Sequence, residues 1–103
     1  MIFLEITFNV SSADIDDFRN AAREVARASK SEDGCDEYVF STDLDVQTTF
    51  YLLERWQSET ALQAHYQTQH FLKFAGFLKL IKCERTRRAH SGDLQPWQMQ
   101  LRA

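Results

Sequence analysis

The order in which the hydrophobic period changes along the chain limits the fold more than any other feature. Residues 2–10 alternate, with Ile2, Leu4, Ile6, Phe8 and Val10 on one side and Phe3, Glu5, Thr7 and Asn9 on the other, as in a strand buried mainly on one face. From Ser11 the period lengthens. Ser11 and Ser12 ahead of Asp14 form a capping pattern, and Ile15, Phe18, Ala22, Val25 and Ser29 recur every three or four residues, which predicts one amphipathic helix over about 12–31. Asp33 and Gly34 end it, because glycine enters the left-handed conformation that closes a helix. Residues 38–42 and 49–56, aromatic and β-branched, flank the polar TDLDVQ and read as a hairpin.

Ser58 is placed to cap a short helix carrying Ala61, Leu62, His65 and Tyr66. Thr68 is placed to cap another carrying Phe71, Phe74, Ala75 and Leu78, so the second helical region breaks near Gln67. Residues 81–88 mix apolar and charged side chains as an edge strand does. Strand, helix, strand, strand, helix, strand is the split βαβ order of an α+β, ferredoxin-like domain with an antiparallel sheet. A chain of 103 residues makes one such domain, assigned to residues 1–90, with 91–103 as a tail.

Helices on one face of four strands leave the other face bare. That face is expected to carry large apolar and aromatic side chains, Phe50 among them, and to serve as an interface. The tail holds Trp97, Met99 and Leu101 and cannot fold back far. Together these predict a homodimer whose sheets face each other, with the tail packing on the partner subunit.

A net charge of -3 offers no attraction to phosphate backbones and argues against nucleic acid as a partner. Arg85, Arg87 and Arg88 read as a solvated strand edge where like charges discourage pairing. The opening MIFLEITFNV has no basic stretch and no long apolar run, so neither a signal peptide nor a membrane span is expected, and the location expected is cytoplasmic. Cys35 and Cys83 stand alone and read as buried thiols rather than a bridge or a nucleophile.

Candidate chemistry gathers in ERWQSETALQAHYQTQHF, residues 54–71. Glu54 and Trp56 share a strand face with Phe50 and Leu52. A carboxylate in that company either bonds arginine or backbone at the strand end, or acts as a base or as the group that orients one. Trp56 is a core ring or a stacking platform. His65 follows Ala61 by one turn and lies beside Leu62 and Tyr66. Its imidazole either bonds backbone at the helix break or serves as a general base. His70, five residues later, falls far from His65 around a continuous helix axis and reads as a surface or packing residue. Metal pairs favour spacings of three or four, and no HxxxH, ExxH or CxxC occurs, so no metal is expected.

The run SEDGCDEYVFSTDLDVQTTFYLLERWQSETALQAHYQTQHFLKF resembles the antibiotic biosynthesis monooxygenase domain family. That family shows an acidic-Gly-Cys turn, a Tyr strand, a Phe-led strand ending in ExW, and a helix with AxxxH followed by His-Phe. Gly34, Cys35, Tyr38, Phe50, Glu54, Trp56, Ala61, His65, His70 and Phe71 fall at the family's spacing, and the likeness spans about residues 2–88. It implies a ferredoxin-like domain that dimerises through its sheets, each subunit holding a pocket between sheet and helices. Relatives include cofactor-free oxygenases of quinols and polyketide phenols, haem-degrading enzymes and an isomerase. Haem degraders place an iron-ligating His where LKFAGFLK has Ala75 and Gly76, which disfavours haem. Polyketide oxygenases carry Asn and Tyr where this chain has Leu52 and Leu62.

What the resemblance implies is therefore a cofactor-free monooxygenase of a small aromatic molecule. His65 would be the base, with Trp56 and either Tyr51 or Phe74 as aromatic walls. Asn9 or Glu54 would orient the substrate, and Tyr66 lies beside it. A non-catalytic ligand-binding dimer and a cofactor-free isomerase are the alternatives.

Overall fold

The computed structural model describes residues 1–93 and 95, so Trp97, Met99 and Leu101 of the tail lie outside the described residues. Its elements are β1 (Ile2–Asn9), α1 (Ile15–Lys30, entered through a 3-10 turn at Ser12–Asp14), β2 (Cys35–Thr42) and β3 (Thr49–Trp56), followed by α2 (Glu59–His65), α3 (Gln69–Leu80) and β4 (Glu84–Ser91). The order is the one the hydrophobic period predicts. The strands form one antiparallel sheet in the order β2-β3-β1-β4. Two boundaries differ from expectation. β2 starts at Cys35, with a register shift before Glu37. β4 starts at Glu84, because residues 81–83 close α3 through the left-handed Lys82.

The core lies between the sheet and the helices. Phe18, Ala22, Val25 and Ser29 are the buried face of α1, as their spacing requires. Against them pack Leu4, Phe8, Tyr38, Phe50, Leu52 and Trp56 from the strands and Leu62, Phe74 and Leu78 from α2 and α3. Phe18 and Phe50 approach to 4.5 Å between ring centroids, and Phe8 and Phe74 meet edge-on at 6.1 Å, a geometry that suits aromatic quadrupoles.

This corrects the assignment of sheet faces. Phe50 lies under the helices, 3% exposed, and not on the bare face. The open face carries Phe3, Val39, Tyr51 and Leu53 among polar groups, with cross-strand ion pairs Arg55–Glu37 and Arg88–Glu5 at 3.0 Å each. It is mixed rather than uniformly apolar, because the larger rings went to the helix side. No helix among the described residues is long and apolar enough to cross a membrane.

Candidate functional site

Two interruptions of regular structure bring the polar groups together. Gly34, at φ 81°, turns the chain out of α1 into β2, and its carbonyl accepts from the Gln57 amide at 2.8 Å. A Cβ on Gly34 would stand 2.6 Å from the Ala61 Cβ, so the turn packs directly on α2. This holds Glu32, just before the turn, over the end of α2.

The second interruption separates α2 from α3. Thr68 donates to the His65 carbonyl at 2.7 Å and accepts from the Phe71 amide at 3.2 Å, closing one helix and capping the next. The break cancels the angular separation expected of two histidines five residues apart on one helix, and His65 and His70 face each other with centroids 5.9 Å apart. Both reach the same oxygen: His65 Nδ1 lies 2.6 Å and His70 Nε2 2.8 Å from Glu32 Oε2. His70 thus joins the site as a partner of Glu32, a role its spacing had concealed.

A carboxylate only accepts, so each imidazole must present an N–H to Glu32. For His65 this puts the proton on Nδ1 and leaves Nε2 with a bare lone pair. That Nε2 is buried and has no hydrogen-bond partner among the described residues; Glu54 Oε1 is 4.0 Å away. The same Glu54 oxygen accepts from Trp56 Nε1 at 3.0 Å. The ring of His65 lies 4.7 Å from that of Trp56 and is enclosed by Tyr38 at 5.4 Å and Phe71 at 5.0 Å.

Burial shifts both central groups toward their neutral forms. Desolvation raises the Glu54 carboxyl to about 7, although the Trp56 hydrogen bond and the positive charge of Arg87 pull it down. Desolvation lowers His65 below the ordinary imidazole value, outweighing the pull of Glu32. Arg87, which reads in the sequence as part of a solvated edge, therefore acts on Glu54 from the helix-side face of β4, opposite Ile6. Tyr66 lies between, its ring 5.8 Å from His65; burial raises its hydroxyl and Arg87 offsets part of that.

Of the residues singled out by sequence, Glu54, Trp56, His65 and Tyr66 come together. Asn9, Tyr51 and Phe74 do not. Asn9 pairs with Thr49 at the opposite end of the sheet from Trp56, seven strand positions or roughly 23 Å along β1, and its side chain accepts from Thr49 at 3.0 Å. Tyr51 points to the open face and donates to Asp43 at 2.6 Å. Phe74 packs with Phe8, Phe18 and Phe40 in the core. Glu32 and Arg87 are the members that spacing did not reveal, since each arrives from a distant element.

The donor atoms of Glu32, His65 and His70 lie within 4.8 Å of one another, a set chemically able to hold a cation. The contacts of 2.6 and 2.8 Å are hydrogen-bond lengths, however. Ligands around a tetrahedral zinc stand about 3.3 Å apart, so an ion would have to displace both protons and push Glu32 away.

Residues 1–76 match the profile described as antibiotic biosynthesis monooxygenase. A Bacillus subtilis (strain 168) protein named "Putative monooxygenase YcnE" is 30% identical over 74 residues, which are 72% of this chain and 78% of that protein. A Deinococcus radiodurans crystal structure, also named a putative antibiotic biosynthesis monooxygenase, superposes with a TM-score of 0.87 at 23% identity, covering 96% of this chain and 99% of the other. A Bacteroides thetaiotaomicron structure described as a possible oxidoreductase gives a TM-score of 0.81 at 26% identity, over 86% of this chain and 94% of the other.

Proposed function

Because the chain belongs to the antibiotic biosynthesis monooxygenase family, we propose that it is a monooxygenase oxidising a small phenol or quinol with dioxygen, with His65 as the base. The observation that carries this reading is the unpartnered Nε2 of a buried His65 facing a carboxyl poised near neutrality. Leaving a buried acceptor unpaired costs about 1–3 kcal/mol, and a substrate hydroxyl would relieve that cost.

In this mechanism Nε2 takes the phenolic proton, and Glu32, holding Nδ1–H, stabilises the imidazolium that results. The phenolate, now easier to oxidise, gives one electron to dioxygen. Superoxide and the phenoxyl radical join at a ring carbon that bears hydrogen, and the O–O bond breaks with loss of water. Overall, a phenol and one dioxygen become a quinone and one water, so the substrate supplies all the electrons. Trp56 forms one wall of the reaction space and Glu54, when protonated, donates to an oxygen of the adduct.

A second copy of the chain would cover the open sheet face, giving a homodimer.

Oxygen uptake with a panel of quinols and phenols is the test. Uptake that falls about 100-fold or more in His65→Gln, and much less in His70→Gln, supports the reading. Uptake unchanged in a folded His65→Gln protein removes the imidazole from the mechanism. Stoichiometric iron or a haem absorbance band in the purified protein would replace cofactor-free chemistry.

One observation favours a second reading: His65 is fully buried, and it lines none of the three clefts found beside α1 and β2, on the open sheet face, and between α1 and α3. A ligand-binding module would show neither uptake nor conversion. An isomerase would show conversion without uptake.

A further inference from the structure

An open cleft of about 510 Å³ lies elsewhere, between α1 and the edge strand β2. From α1 it is lined by Arg19, Arg23, Arg27 and Lys30. At 3.6 residues per turn these four fall within an arc of roughly 80°. Among the described residues no carboxylate lines the cleft, although the chain has 15 acidic residues to 12 basic. Asp16 continues the same stripe one turn before Arg19 but does not line the cleft, and Glu24 turns away to pair with Lys73 at 2.7 Å.

The floor is aromatic, formed by Phe40, Phe50 and the buried Tyr38. The guanidinium of Arg19 stands 5.9 Å from the centroid of Phe50, a cation held over a ring. Among the described residues β2 pairs only with β3, so alternate backbone groups along the other side of residues 38–42 have no strand partner there and lie near the cleft.

We propose that this cleft is a binding site for a small planar aromatic anion, such as an aromatic carboxylate, its ring on Phe40 and its charge against the α1 cations. The volume suits a small molecule. A polyanion would in addition meet a chain of net charge -3, which argues for the small ligand over a nucleic acid. The site is distinct from that of His65 and does not depend on the reaction proposed for it. Tyr38 separates the two, its ring 5.4 Å from His65.

The experiment is calorimetric titration of the whole protein with 2-naphthoate and with the neutral 2-naphthalenemethanol, accompanied by amide shift mapping. The naphthoate should bind saturably, perturb α1 and β2, and weaken as sodium chloride rises from about 50 to about 500 mM. Naphthalenemethanol should bind about tenfold or more weakly. The double variant Arg23→Gln/Arg27→Gln should lose about tenfold in naphthoate affinity, while Arg23→Lys/Arg27→Lys should keep most of it. Arg23 and Arg27 are both exposed on α1, and circular dichroism verifies folding. Equal binding of acid and alcohol overturns the proposal, as does naphthoate affinity unchanged in the folded glutamine variant. Binding lost in Trp56→Phe but kept in the glutamine variant would place the ligand in the His65 site instead. Tighter binding of a single-stranded oligonucleotide than of naphthoate would reassign the cleft to nucleic acid.

Discussion

Glu54 and His65 face each other inside the protein, and burial pushes their proton affinities in opposite directions. Their effects on stability oppose one another accordingly. With its carboxyl raised from 4.5 to about 7, native Glu54 binds more protons than the unfolded chain across that window, so its contribution falls as pH rises and its cost is complete above about 7. Glu54→Gln removes this titration. Urea unfolding at about pH 5 and about pH 8 should show the variant gaining on the wild type at the higher pH, by up to about 3 kcal/mol. An equal difference at both pH values would mean that the carboxyl ionises normally. His65 behaves conversely: lowered below 6.5, it costs stability as pH falls through the acid range, because the unfolded imidazole protonates first. Nitrogen-resolved spectra should show His65 carrying its proton on Nδ1 and titrating below the ordinary value. A proton on Nε2 at neutral pH would remove the proposed base.

At the scale of elements, the site depends on the turn at Gly34 and the break at Thr68 rather than on any one helix or strand. Gly34→Ala combines a left-handed φ of 81° with a 2.6 Å approach to Ala61, so either β2 or α2 must move. The expected loss is at least about 1 kcal/mol, with Glu32 drawn off the two imidazoles. Chemical denaturation measures the first effect and the His70 resonances report the second. Full stability would show that the turn has room that the structure denies it. Thr68→Ala removes the cap of α3 and the bond to the His65 carbonyl, and should cost about 1 kcal/mol. A loss of helicity confined to residues 66–71 in hydrogen exchange would locate the effect.

For the whole molecule, the two sheet faces make different demands. Phe50→Asp takes a buried ring away from Phe8 and Phe18 and puts a carboxylate in its place, and even with Arg19 near by should destabilise the fold by several kcal/mol, on the order of the stability of a small domain. Leu53→Asp places one on the open face beside Val39 and Glu5. It should leave the fold intact and shift sedimentation from dimer to monomer. A folded Leu53→Asp dimer indistinguishable from wild type would show that this face is not the interface.

What the sequence alone determined is what local periodicity and local chemistry can encode. The order of elements, the apolar stripe of α1, the capping by Ser58 and Thr68 and the break near Gln67 were all legible, because each depends on residues within a turn or two of one another. That Glu54 and Trp56 share one strand face was legible for the same reason, although the hydrogen bond between them was not. Alternation divides a strand into two faces but does not say which one the helices cover, and so Phe50 was placed on the wrong side. The convergence of His65 and His70 on Glu32 joins positions 33 and 38 residues apart in sequence. The reach of Arg87 to Glu54 likewise depends on β4 crossing back beside β1. Those arrangements were decided by tertiary packing, because a side chain's distant neighbours are set by how whole elements dock, and no local period records that.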